Sequence, residues 1–218
     1  MHRLTLLLAI LLAALVVPSR LSAADGSQPV VITAAKIGLL ADAIVSLVPL
    51  DPGSPLSAPV VGGAITQSDE QYTPFVSAVT VGSAVSFPNE DRIQHHLYSV
   101  SKAKRFEKPL YAPGSTESVV FDQPGVVALG CNIHDWMIAY LLVVGTPHYA
   151  KSGPDGRAEL TGVPPGRYRL EVWHPRLAQP LTRELAVAPG ANPVANVELT
   201  LRPDRRIRRS QDGKAGGY

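Results

Sequence analysis

Hydrophobic positions in this chain come in short runs, many of them alternating with polar residues at a spacing of two. After the first two dozen residues no stretch sustains the 3.6-residue spacing of a surface helix. The clearest alternation is His95–Ser101, where His95, Leu97 and Ser99 share one strand face and His96, Tyr98 and Val100 the other. In Tyr168–Trp173, Tyr168, Leu170 and Val172 fall together in the same way. Pro29–Thr33, Ala43–Val48, Ile65–Gln67, Val76–Val81, Ala84–Phe87, Ser118–Phe121 and Val126–Leu129 are further strand predictions. Met137–Val144, Arg157–Thr161, Arg183–Val187 and Val194–Leu201 complete the set; composition alone also permits a helix near Trp136–Val144, but its β-branched end favours a strand. Turns are expected at Gly82-Ser83, at Asp122-Gln123-Pro124-Gly125 and at Pro164-Pro165-Gly166, and a loop at Asp51–Pro59. Lys102, Lys104, Arg105 and Lys108 mark a polar, exposed stretch, with Phe106 and Leu110 as its inward anchors. Short strands punctuated by proline and glycine predict an all-β chain of sandwich type.

Composition changes this picture mainly at the two ends. Of the 218 residues 45% are hydrophobic, a figure raised by residues 1–24, where His2 and Arg3 precede an apolar run from Leu4 to Val17, a break at Pro18 and the small residues Ser22, Ala23 and Ala24. That order predicts a cleaved signal peptide and a periplasmic or secreted protein, the run being short for a membrane span. No cysteine lies there to take a lipid anchor. The net charge of +2 argues against a nucleic-acid partner. Much of the excess falls in residues 202–218, a basic disordered tail with Arg202, Arg205, Arg206, Arg208 and Arg209, suited at most to an acidic partner or anionic lipid.

One cysteine cannot form an internal disulfide, so in an oxidising compartment Cys131 needs burial or a metal to protect it. It opens the run CNIHDWM, which puts a thiolate, an imidazole and a thioether at Cys131, His134 and Met137, between two apolar strands. Such soft ligands suit copper, and a second imidazole is offered 36 residues upstream by His95 or 35 upstream by His96. The two histidines point opposite ways on a regular strand, so one of them belongs to the site. Two imidazoles and a thiolate with a weak axial thioether make an electron-transfer copper centre, whereas zinc seldom takes methionine. His95 is expected from one sheet and the other three ligands from the opposite sheet. His96 is then a surface histidine, a relay or a weak second metal contact. Trp136 is expected to pack or to meet a partner, Asn132 to brace the loop, and His148 and His174 to be surface or turn residues.

The C-x-x-H-x-x-M run resembles the ligand loop of the cupredoxins, the small blue-copper proteins, in its short amicyanin form. Upstream, Phe87, Asn89 and Asp91 in V-x-F-x-N-x-D lead to His95, as in the strand that carries that family's first ligand. Within the family the chain is most similar to proteins grouped loosely under methylamine utilisation. The resemblance implies a Greek-key sandwich or barrel over residues 65–147, one type 1 copper ion on His95, Cys131, His134 and Met137, and a redox protein partner. It also implies an asparagine that ties the two ligand regions together; His96 stands in its place.

Residues Asp155–Trp173 resemble a second family, the transthyretin-like or carboxypeptidase regulatory-like sandwiches, in D-G-R-A-x-L and the P-P-G-x-Y-x-L-x-V hairpin. LLADAIVSLVP resembles that family's opening strands. Residues 29–60 and 148–201 are therefore expected to form one small sandwich with the copper domain inserted, the alternative being a sequential division. No nucleotide loop, paired-carboxylate pattern or serine nucleophile motif suggests an enzyme. The functional expectation is an exported one-electron carrier. A copper-delivery protein and a metal-free interaction module are the alternatives.

Overall fold

The structure, a computed structural model, describes residues 24–51, 62–204 and 206. The signal-peptide prediction therefore lies outside the described residues except for Ala24, as does most of the loop that begins at Asp51 and most of the basic tail. The described residues are all-β. The chain opens with β1 (Gly26–Ala34), β2 (Gly38–Leu39) and β3 (Ile44–Pro49). It continues with β4 (Gly63–Ala64), β5 (Thr66–Ser68), β6 (Gln71–Thr73), β7 (Val76–Thr80), β8 (Ser83–Pro88), β9 (His95–Val100) and β10 (Arg105–Tyr111). Then come β11 (Thr116–Phe121), β12 (Gly125–Gly130), β13 (Ile138–Val144) and β14 (Tyr149–Lys151). The last strands are β15 (Arg157–Val163), β16 (Gly166–Trp173), β17 (Leu181–Val187), β18 (Gly190–Ala191) and β19 (Ala195–Leu199).

Four main sheets stack in layers. The sheet β15-β1-β18, extended by β2 and β19, faces β14-β3-β16-β17 across a core that includes Ile32, Leu47, Leu160 and Leu170. The sheet β10-β9-β12-β13-β7 faces β11-β8-β4 across a second core that includes Phe87, Leu97, Phe121, Leu129 and Leu141. A third cluster, with Ile44 and Trp173 from one sandwich and Val76 and Val144 from the other, joins the two inner sheets. The near-continuous apolar runs of β3 (IVSLVP) and β13 (IAYLLVV) follow from this position, since both faces of each strand meet protein.

β3 pairs antiparallel with β16 and with β14, so the segment between β3 and β14 leaves and rejoins one sheet at neighbouring strands. The Thr146 hydroxyl donates to the Leu47 carbonyl at 2.8 Å beside this junction. The Pro164-Pro165 link is not the expected hairpin: β15 pairs with β1 and β16 with β3 and β17, so the link carries the chain from one sheet to the other. Gly156, at φ 68°, makes the turn before β15; a side chain there would also collide with the Ile32 carbonyl.

The stretch expected to be merely polar is the edge strand β10. Its register against β9 shifts between Lys108 and Tyr111, which turns Tyr111 into the core and leaves Leu110 49% exposed instead of anchoring the strand. The described start of the tail lies on the body, with the Arg206 guanidinium 4.3 Å from the centre of the Phe75 ring.

Candidate metal centre

The path to the site begins at Asn89, buried at the end of β8. Its amide oxygen accepts from the Asp91 N–H at 3.1 Å, an Asx turn, and its amide nitrogen donates to the carbonyls of Ile93 (2.9 Å) and Tyr111 (3.2 Å). This folds residues 89–94 into a tight bend and delivers His95 at the first position of β9. Asp91 then faces three donors: the Asp69 N–H at 2.6 Å, the Glu70 N–H at 2.9 Å and His95 Nε2 at 2.7 Å. Burial pushes its carboxyl up, but these hydrogen bonds outweigh burial and hold it below the usual value. An ionised carboxylate only accepts, so His95 donates from Nε2 and, in the neutral ring, Nδ1 keeps a bare lone pair. That Nδ1 is buried and has no hydrogen-bond partner.

Cys131 follows Gly130 at the end of β12. The residue is 5% exposed, and Sγ lies 3.9 Å from His134 Nδ1. The ring centres of His95 and His134 are 5.1 Å apart. One ligand atom from each of His95, Cys131 and His134 lies within 4.8 Å of the others. Bonds of about 2.0–2.3 Å to one ion put two donors at most about 4.6 Å apart. The set therefore needs little movement to close on a metal, and a buried imidazole nitrogen with no partner is what such an ion would satisfy. Met137 is buried beside Cys131 in the same core, and its N–H donates to the His134 carbonyl at 3.0 Å, closing the loop.

The segments that carry the candidate ligands belong to one sheet, not to opposite sheets as expected. β9 and β12 are neighbours, bridged at Gly130 and Tyr98, and the Cys131–Met137 loop joins β12 to β13 beside them. Gly130 is small for a reason the sequence hid: a Cβ there would sit 2.8 Å from the Tyr98 ring. His96 does project from the opposite face to His95, but it is buried at 6% exposure instead of lying on the surface. Its Nε2 lies 2.8 Å from Glu107, and its ring packs 5.5 Å from that of Tyr98.

The β5–β6 hairpin, of which only the first strand was predicted, at Ile65–Gln67, covers the other side. Glu70 Oε2 lies 3.7 Å from His134 Nε2, an electrostatic contact longer than a hydrogen bond. The Glu70 carbonyl accepts from Trp136 Nε1 at 3.1 Å, and the Trp136 ring packs 5.1 Å from that of His134, so Trp136 is a packing residue of the loop. His174 is a turn residue as expected, but a buried one, its Nδ1 accepting from the Arg176 N–H at 3.2 Å.

No protein-family model matches the chain, and no curated protein matches it. Among solved structures it is similar to a purple cupredoxin from Nitrosopumilus maritimus, with 23% identity and a TM-score of 0.34, over 38% of this chain and 99% of that one. It is similar to a copper-containing nitrite reductase from Thermus scotoductus, with 24% identity and a TM-score of 0.37, over 44% of this chain and 27% of that one. A point variant of amicyanin in the Cu(I) form shares 18% identity at a TM-score of 0.36, over 39% of this chain and 87% of that one.

Proposed function

We propose that this chain is an exported type 1 copper protein that carries single electrons between redox partners, with His95, Cys131 and His134 as ligands and Met137 as the weak axial fourth. The observation that carries the reading is the cluster of one ligand atom each from His95, Cys131 and His134 within 4.8 Å of one another, where His95 also has a buried Nδ1 without a hydrogen-bond partner. A bound copper ion would supply a Cu(I)/Cu(II) couple. The chain's part is to keep the donors still and dry. Asp91 orients His95, Glu70 and Trp136 back His134, and the strands β12 and β13 hold both ends of the loop. Burial of Cys131 favours a carrier over a delivery protein, whose site has to open to release its ion.

Residues 65–147 form the copper domain in this reading, inserted into a transthyretin-like sandwich of 29–60 and 148–201. Pairing of β3 with β14 and β16 supports the insertion. Export rests on the pattern of residues 1–24.

Copper addition to the metal-free protein, followed by metal analysis, visible spectroscopy and voltammetry, tests the assignment. An intense sulfur-to-copper band and a reversible potential are expected. Cys131→Ala abolishes the band, and Met137→Leu keeps a coloured centre with a changed potential. An intense band retained by Cys131→Ala overturns the assignment, and rapid loss of copper to a chelator without any band indicates delivery instead.

A further inference from the structure

Tyr72, on β6, belongs to neither ligand motif. Its ring is buried in the same core as Cys131 and Met137. Its hydroxyl lies 3.0 Å from the His96 carbonyl and 3.0 Å from the Gly130 carbonyl. Those residues directly follow His95 and directly precede Cys131. A phenol carries one proton, so one O–H is shared between the two carbonyls. The strands it touches, β9 and β12, are bridged at a single residue pair, Gly130 and Tyr98, of which Gly130 directly precedes Cys131.

We propose that Tyr72 is a positioning residue, a clasp that ties the strand carrying His95 to the strand carrying Cys131 and sets the spacing between imidazole and thiolate. This rests on the copper reading above. The rest of the hairpin acts in the same sense: the Asp69 and Glu70 N–H groups hold Asp91, which holds His95, and the Glu70 carbonyl holds Trp136 beside His134. One hairpin thus braces both ligand-bearing segments from outside.

Tyr72→Phe keeps the ring that fills the core and removes only the hydroxyl. Tyr168→Phe is the control, because the Tyr168 ring fills the other core and its hydroxyl likewise donates to a carbonyl, that of Pro164 at 2.7 Å. Three measurements are compared with wild type: amide exchange of the metal-free protein around residues 96–98 and 130–131, copper affinity by chelator competition, and the visible spectrum of the copper form. For Tyr72→Phe faster local exchange, copper affinity about 10–100-fold weaker and a shifted band are expected, the size typical of losing a group that orients a metal ligand. For Tyr168→Phe all three stay at wild-type values. Wild-type affinity and spectrum in Tyr72→Phe, against a wild type that shows the intense band, overturn the clasp alone. Absence of the band from the wild type overturns the copper reading itself.

Discussion

A buried imidazole with one nitrogen on a carboxylate and the other on nothing is an expensive arrangement unless an electrophile sits at the bare nitrogen. His95, on Asp91, and His96, on Glu107, are both in that position, but only His95 is clustered with a thiol and a second imidazole. Asp91→Asn replaces an obligate acceptor with an amide that can present either end, so the ring is no longer held in one tautomer. Copper affinity in that variant is expected to fall about 10–100-fold; chelator competition measures it, and an unchanged affinity would show that Asp91 does not orient the ligand. At this scale the residues themselves pointed to Cys131 and His134, because soft donors crowded on one loop need little context, whereas alternation left His95 and His96 open and only the V-x-F-x-N-x-D resemblance favoured His95. Glu70 and Tyr72 were illegible because their role depends on a hairpin distant in sequence folding over the loop. The exposure of His96 was misjudged for a related reason: alternation gives its face correctly, but Glu107 and Tyr98 cover that face.

At the level of elements, periodicity located most of the longer strands and failed at β10, where a register shift breaks the period of two. The consequence is testable on neighbouring strands. Leu97→Ala, at a fully buried β9 position, is expected to cost about 2–5 kcal/mol in urea unfolding, whereas Leu110→Lys, at the exposed position beside the shift, should change stability by less than about 0.5 kcal/mol. Equal losses would show that Leu110 anchors the strand after all. The turn chemistry of Pro164-Pro165-Gly166 was likewise visible, but its destination was not. A proline turn ends a strand whether the next one pairs beside it or crosses to a facing sheet, and here β15 pairs with β1 whereas β16 lies between β3 and β17.

Across the whole molecule, the contact between the two inner sheets has an acid limit. His174 follows Trp173, a residue of that contact, and burial, with a smaller contribution from Arg176, pushes its pKa from 6.5 down to about 4. Between those values the unfolded chain binds a proton that the native chain refuses. The native advantage is therefore complete above about pH 6.5 and is lost progressively as pH falls toward 4. A melting temperature that drops over this window, and drops less in His174→Asn, is expected from a pH series of thermal scans; an equal drop in the variant would assign the effect to other groups. The pairing of β3 carries a consequence of a different kind, one of timing. As the chain is made, this apolar strand precedes both of its partners, β14 and β16, by the length of the intervening sandwich. Its edges stay open until the intervening chain collapses and draws its own two ends together, which shortens the loop that β3 has to close. Folding of the intervening sandwich, β4 to β13, would thus assist the sandwich that encloses its ends.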